Sequence, residues 1–378
     1  MIDSNLSRTA NFKRNWRCLI VACVGFGFAT IASVGLDAQV TYGVNNPRLL
    51  ASPDAVWKPS LDSMAANGVH MVRTAISSKD KSADHVIAFL RYAEQLSIKV
   101  VLIFPDQNPI YYGPEAVAPQ GSDNSGKKGL AAIELPRFSA YWQAHRTALR
   151  QAGVHVYAYE LGNELNGASF NSDYPKGAGA ALLNLASCDN QPGCTGVRAG
   201  WDNYIGMLKI MRGSGLLDGA LVLGGSFVRV GEGYVRQAQI SFSTVQSTRA
   251  YLAAHGADKF VDAYTFHIYP VVPPNADPAT GQSEIARQIN AAYSECRSVA
   301  TKPCWVTEWG FPDQAAKCEQ SPKQDAYLED ADAVFRQEAS QQGGMVADYY
   351  AWDTGDKFAV YGCGRVASPV IARLLKSR

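Results

Sequence analysis

Short β-branched or aromatic runs recur eight times along this chain, each followed by a stretch with helical spacing of its apolar residues, and few folds accept that alternation. The strand candidates are Val40 to Val44, Val69 to Ala75, Lys99 to Phe104, Val156 to Leu161, Ala220 to Gly224, Ala263 to His267, Cys304 to Thr307 and Ala347 to Ala351. Helical spacing lies between and after them in Leu61 to Ala66, Ala83 to Leu96, Arg137 to Gln151, Trp201 to Met211, Val245 to Ala254, Glu284 to Val299, Ala326 to Gln341 and Val370 to Leu375. Gly68, Gly153, Gly213 and Gly256 stand where helix ends are expected. Eight parallel strands close a barrel, so the prediction is an α/β fold, a single (β/α)8 TIM barrel over residues 39–378. An open doubly wound sheet would alternate in the same way. It would also want a glycine-rich phosphate loop after the first strand, where Tyr42-Gly43-Val44-Asn45-Asn46 stands instead.

Residues 1–38 read differently. Leu19 to Leu36 is apolar and uncharged, follows Arg8, Lys13, Arg14 and Arg17, and ends near Leu36-Asp37-Ala38. That is the form of a signal peptide, and 18 residues is also long enough for a retained N-terminal anchor, a membrane tether through residues 19–36. Cys23 lies only six positions after Arg17, too close for a lipoprotein signal. Either outcome of the signal places the rest of the chain in an exported compartment. The six remaining cysteines, Cys188, Cys194, Cys296, Cys304, Cys318 and Cys363, are an even set suited to oxidising conditions. Short loops favour Cys188 with Cys194 and Cys296 with Cys304, leaving Cys318 for Cys363. No CxxC pair or histidine cluster accompanies them, so no metal and no cofactor are expected.

The formal net charge of the 378 residues is +1; beyond residue 38 there remain 31 basic against 32 acidic side chains. Such a balance gives no electrostatic reason to expect nucleic acid and suits a neutral partner. A monomer is expected.

Two motifs stand at predicted strand ends. Tyr159-Glu160-Leu161-Gly162-Asn163-Glu164 closes the fourth strand, and Trp305-Val306-Thr307-Glu308-Trp309-Gly310 closes the seventh. In a closed barrel those ends face one cavity, and two carboxyl groups about 5 to 5.5 Å apart are what glycoside hydrolysis with retention requires. Either motif alone is weak, because such dipeptides also mark helix starts and solvated turns. Their joint order and strand-end placement carry the reading.

On these residues the chain resembles the clan A glycoside hydrolases, which hold their acid/base after strand four and their nucleophile after strand seven. The resemblance covers the mature chain as architecture. It implies Glu164 as general acid/base, Glu308 as nucleophile and Asn163 as partner of the sugar 2-hydroxyl. It also implies that Arg73, at the end of strand two, and Tyr269, in His267-Ile268-Tyr269, touch the nucleophile, with His267 beside them and Trp352 as the platform under the reacting sugar. The substrate so implied is a β-linked neutral oligo- or polysaccharide. Trp309, Tyr111, Tyr112 and Phe311 are read as aromatic extensions of the cleft. Glu160 lies within the strand on a side that alternation leaves open, and is the decoy for the motif glutamate. Glu232 reads as a solvated loop residue, and His70 and His255 as structural. Transglycosylation with the same carboxylates, and a carbohydrate-binding barrel without turnover, are the competing functions. Gln107 to Leu135 and Asn166 to Gly200, both after strand ends, should build the mouth.

Overall fold

The computed structural model describes residues 39–76, 83–116, 128–273, 275–299, 301–311, 322–354 and 357–377. The expected export or anchor segment lies outside them. No helix among the described residues is long and apolar enough to cross a membrane.

Eight strands close into a barrel: β1 (Val40–Asn45), β2 (Met71–Ala75), β3 (Lys99–Phe104), β4 (Ala158–Leu161), β5 (Leu221–Val228), β6 (Ala263–Ile268), β7 (Cys304–Trp309) and β8 (Met345–Tyr350). Every neighbouring pair is parallel, and β8 returns to β1 in register from Met345 beside Val40 to Tyr350 beside Asn45. A helix follows each strand: α1 (Asp54–Ala66), α2 (Asp84–Gln95), α3 (Leu135–Ala152), α4 (Cys194–Gly213), α5 (Val245–Ala254), α6 (Pro278–Arg297), α7 (Pro322–Gln342) and α8 (Pro369–Lys376).

The boundaries depart from the sequence reading where a glycine or proline misleads. The strand expected to stop at Gly224 continues to Val228, because Gly225 and Ser226 take positive φ of 101° and 47° and the pairing with β6 slips there rather than ending. Helix α1 starts at Asp54, seven residues before Leu61, with Pro59 inside it. Helix α4 starts at Cys194 and runs through Gly200, whose missing side chain matters: a Cβ there would stand 2.1 Å from Asp173 Oδ2.

Strand alternation sorts the interior into levels. Met71, Val101, Ala158, Leu223, Ala263 and Val346 form an apolar plug that fills the base of the barrel. Two residues further along their strands, Arg73, Glu160 and Asp348 replace the apolar residues and are completely buried. A second apolar cluster, including Trp57, Phe104, Trp142 and Trp201, lies between the strands and the helix ring. Burying each such large side chain contributes on the order of 1.5 to 3 kcal/mol, which helps the barrel carry a polar level inside it.

The two short-loop disulfides are present. Cys188–Cys194 ties the loop after β4 to the first residue of α4, and Cys296–Cys304 ties the end of α6 to the start of β7. They fit an oxidising compartment. Cys318 of the third expected pair lies outside the described residues. The loops after β4 and β5 are knit together by the two-residue strands Leu182–Leu183 and Phe242–Ser243, by bridges from Gly167 to Phe242 and Lys176 to Ile240, and by Asn166, whose amide bonds Val228 and Ser243.

Candidate active site

Arg73 is the centre of the polar level. Its Nε donates to Glu160 Oε2 at 2.5 Å and Nη1 to Glu308 Oε2 at 3.1 Å. Nη2 reaches Asn163 Oδ1 at 2.9 Å, Ser226 Oγ at 3.2 Å and His267 Nε2 at 3.3 Å. Burial alone would weaken the charge of this guanidinium, but Glu160 and Glu308 more than offset it and raise its pKa. A planar fork with five donors can serve all these acceptors at once, which a lysine could not.

Glu160, the expected decoy, points into the barrel. Its second oxygen accepts from Thr265 Oγ1 at 2.5 Å and from Thr307 Oγ1 at 2.7 Å, so the whole carboxylate is engaged and none of it is exposed. It anchors Arg73 and has no free face for a substrate.

Glu308 is held by three donors. Oε2 accepts from Asn45 Nδ2 at 2.7 Å as well as from Arg73, and Oε1 accepts from the phenol of Tyr269. Burial, and then the charge of Glu308, keep the Tyr269 phenol far above its ordinary pKa and therefore a donor. Pairing between β6 and β7 slips after Phe266, so that His267 stands beside Glu308. The slip lets both Thr307 and Glu308 serve the interior, against strict alternation.

Glu164 follows a tight turn. Gly162 has φ of 78° and Glu164 of 51°, and a Cβ at Gly162 would meet Leu165 Cδ1 at 2.4 Å, so the Gly-Asn-Glu step needs its glycine. The Glu164 backbone N–H bonds Ser226 O at 2.8 Å. Its side chain keeps a small exposed face, and Oε1 meets His267 Nδ1 at 2.9 Å. The other imidazole nitrogen faces Arg73 Nη2, which only donates, and Ser226 Oγ at 3.0 Å. Nε2 therefore accepts, and the ring proton sits on Nδ1, donated to Glu164. Carboxylate oxygens of Glu164 and Glu308 and a nitrogen of His267 all lie within 4.8 Å of one another. This triplet has metal-ligand spacing, but its atoms are already bonded to Arg73, Asn45, Tyr269 and each other.

Glu164, Glu308, Asn163, Arg73, His267 and Tyr269 thus converge. The expected tryptophans do not. Trp352 is completely buried beside α1, with Nε1 donating to Ser63 Oγ at 2.9 Å and its indole stacked on Tyr361 at 4.7 Å. Trp309 comes after the slip in β7 and turns outward, 4.9 Å from both Phe335 and Tyr349. Tyr111, Tyr112 and Phe311 are likewise buried, Tyr111 against Phe138 and Tyr141. The half-buried ring beside Glu308's partner is Tyr350, 6.0 Å from Tyr269, with Phe358 completing the group. Tyr350 continues the inward series Val346, Asp348, and counting by twos from the apolar plug would have singled it out over Trp352.

Asn45 and Ser226 were also not anticipated; neither belongs to a motif, and their roles arise from the register of β1 and the irregularity in β5. Asp348 is the remaining interior acid. Neither of its oxygens has a hydrogen-bond partner among the described residues, and burial pushes its pKa well up, Arg73 opposing and Glu160 adding to the effect. A Cβ on Gly43 would stand 2.1 Å from it. Glu232 is exposed in the short helix Glu232–Ala238, paired with Arg236, and His255 stacks on Tyr251.

No protein-family model matches the sequence, and no curated protein matches it. Solved structures do match. The exo-β-1,4-mannosidase Op5Man5 from Opitutaceae bacterium strain TAV5 superposes with a TM-score of 0.53 at 17% identity, over 89% of this chain. This chain spans only 58% of the mannosidase's length. ZgEngAGH5_4, solved in complex with a cellotriose, gives a TM-score of 0.57 at 10% identity over 90% of this chain and 97% of that one. A fungal β-1,4-galactanase gives 0.52 at 13% identity over 89% and 99%. In fold, this chain is a (β/α)8 barrel of the kind those proteins share.

Proposed function

We propose that this protein is a retaining glycoside hydrolase acting on β-linked neutral glycans, with Glu164 as acid/base and Glu308 as nucleophile. The observation that carries the reading is the pair itself: two carboxylates with oxygens within 4.8 Å, close to the spacing of retaining enzymes and short of the gap an inverting enzyme leaves for water. Their environments differ in the required sense. Glu308 receives three donors, which orient an anion, whereas Glu164 receives one and keeps its second oxygen for a proton. The named activities of two structural neighbours concern β-1,4 linkages and a third binds a cellotriose, which supports a β-1,4-linked substrate.

In the first step a Glu308 oxygen bonds to the anomeric carbon while the bond to the glycosidic oxygen breaks. Glu164 gives its proton to that oxygen, and the leaving chain departs as an alcohol. In the second step Glu164 takes a proton from water, whose oxygen attacks the anomeric carbon and releases Glu308. Two inversions give retention. Asn163 Oδ1 accepts from Arg73 Nη2, and its amide N–H groups remain for the 2-hydroxyl. A sugar in place of water would make the same site a transglycosylase. We read residues 1–38 as the export segment, cleaved or kept as a tether, in keeping with the two cystines.

Glutamine at Glu164 or Glu308 should abolish turnover of β-1,4 oligosaccharides. Azide should rescue Glu308→Ala with formation of an α-glycosyl azide, and Glu164→Ala with a β-glycosyl azide. Full activity in both glutamine variants removes the proposal.

A further inference from the structure

Five large apolar side chains are exposed among the described residues: Val56, Ile110, Phe170, Tyr234 and Val271. Val56 lies in the first turn of α1. The other four occupy the loops after β3, β4, β5 and β6, four successive loops on the mouth face of the barrel. Two are aromatic: Phe170 is bonded to Gly167, three residues past Glu164, and Tyr234 packs on Phe242, the bridge partner of Gly167. The backbone N–H of Phe170 bonds Gly167 O at 3.2 Å. Gly167 pairs with Phe242 so closely that a Cβ would stand 2.0 Å from that ring, and Tyr234 packs edge-on against the same ring at 5.9 Å.

These rings are on a firm support. The Leu182–Leu183 and Phe242–Ser243 pairing and the Tyr174 to Ser243 hydrogen bond at 2.6 Å lock the loops after β4 and β5 into one wall. Its place is set relative to the chemistry: it is joined to the glutamate that protonates the departing oxygen, while the other ring group, Tyr269, Tyr350 and Phe358, is joined to Glu308. The leaving part of a substrate must pass on the Glu164 side.

We propose that Phe170 and Tyr234 form the subsite for that leaving part and take a neutral sugar unit through its C–H face. The proposal rests on the hydrolase reading above and adds where the chain beyond the cleaved bond lies. It makes a sugar on the leaving side a source of binding energy for cleavage of β-linked chains, and the same surface would hold an acceptor sugar during transglycosylation.

The test separates the leaving sugar from the chemistry. β-Glycosyl fluorides carry no sugar on the leaving side, so the ratio of kcat/KM on β-1,4-linked trisaccharides of glucose, mannose or galactose to kcat/KM on the matching fluoride isolates the subsite. Phe170→Ala combined with Tyr234→Ala should lower that ratio about tenfold or more, in line with the loss of two apolar contacts. Both rings are exposed, and fluoride turnover reports folding of the variant in the same assay. An unchanged ratio, or wild-type protein that consumes fluorides but no trisaccharide, overturns the subsite alone. Wild-type protein inert on every fluoride and trisaccharide overturns the hydrolase reading and the subsite with it.

Discussion

Arg73 and Glu160, both without exposed surface, meet at 2.5 Å between Nε and Oε2, and this contact sets the direction in which the rest of the guanidinium points. The two remaining nitrogens then reach Glu308, Asn163, Ser226 and His267, so the buried pair acts as the bracket on which both halves of the site are mounted. A buried pair of this kind does not by itself make a protein stable, but removing Glu160 takes from Arg73 its closest counter-charge and leaves Glu308 alone to balance it.

Glu160→Gln should therefore be costly although the residue touches no substrate. The expected loss is about 3 to 5 kcal/mol of stability, with kcat down at least about tenfold as Arg73 swings toward Glu308. Chemical denaturation and fluoride kinetics measure the two effects. A variant with wild-type stability and wild-type kcat would show that the bracket is not needed.

Asn45 makes a more local prediction. Its amide gives Glu308 Oε2 a hydrogen bond at 2.7 Å to an anion, a class worth about 1.5 to 3 kcal/mol. Asn45→Ala should lower kcat/KM by about 10- to 100-fold, with little change in melting temperature. Equal activity would place Asn45 outside the machinery.

Asp173 predicts a pH dependence of stability. Burial pushes its carboxyl up to about 7, against the opposing hydrogen bonds from the Ala131 and Leu130 backbone. Glycines at 129 and 200 make the cradle in which it sits, joining the loop after β4 to the loop after β3 and to α4. Because the folded value exceeds the ordinary aspartate value of 3.8, folding takes up a proton. Its contribution is fully present below pH about 4 and is lost as pH rises through about 7, a change of about 4 kcal/mol. Asp173→Asn should remove this component of the slope between pH 4 and 8, whatever it does to absolute stability. Parallel slopes in calorimetry for variant and wild type would refute the assignment.

The linear chain determined the repeat, and with it the fold. Eight β-rich runs spaced by helical stretches can bury both faces of a parallel sheet in only a few ways, and glutamates at the ends of the fourth and seventh runs necessarily open toward one mouth. The short-loop cystines were legible for the same reason, since nearby cysteines have few places to go. What the tertiary structure decided is the facing of side chains near strand ends. One slip in β7 turned Trp309 outward while keeping Thr307 and Glu308 inside, the irregularity at Gly225 and Ser226 brought a serine to the imidazole, and the turn after β8 buried Trp352 and left Tyr350 at the mouth. A period-two pattern reverses at every bulge, and whether a bulge forms depends on pairing between strands that are distant in sequence. Asn45 and Glu160 were hidden for the same physical reason: their roles exist only once β1, β2, β4 and β7 surround one another.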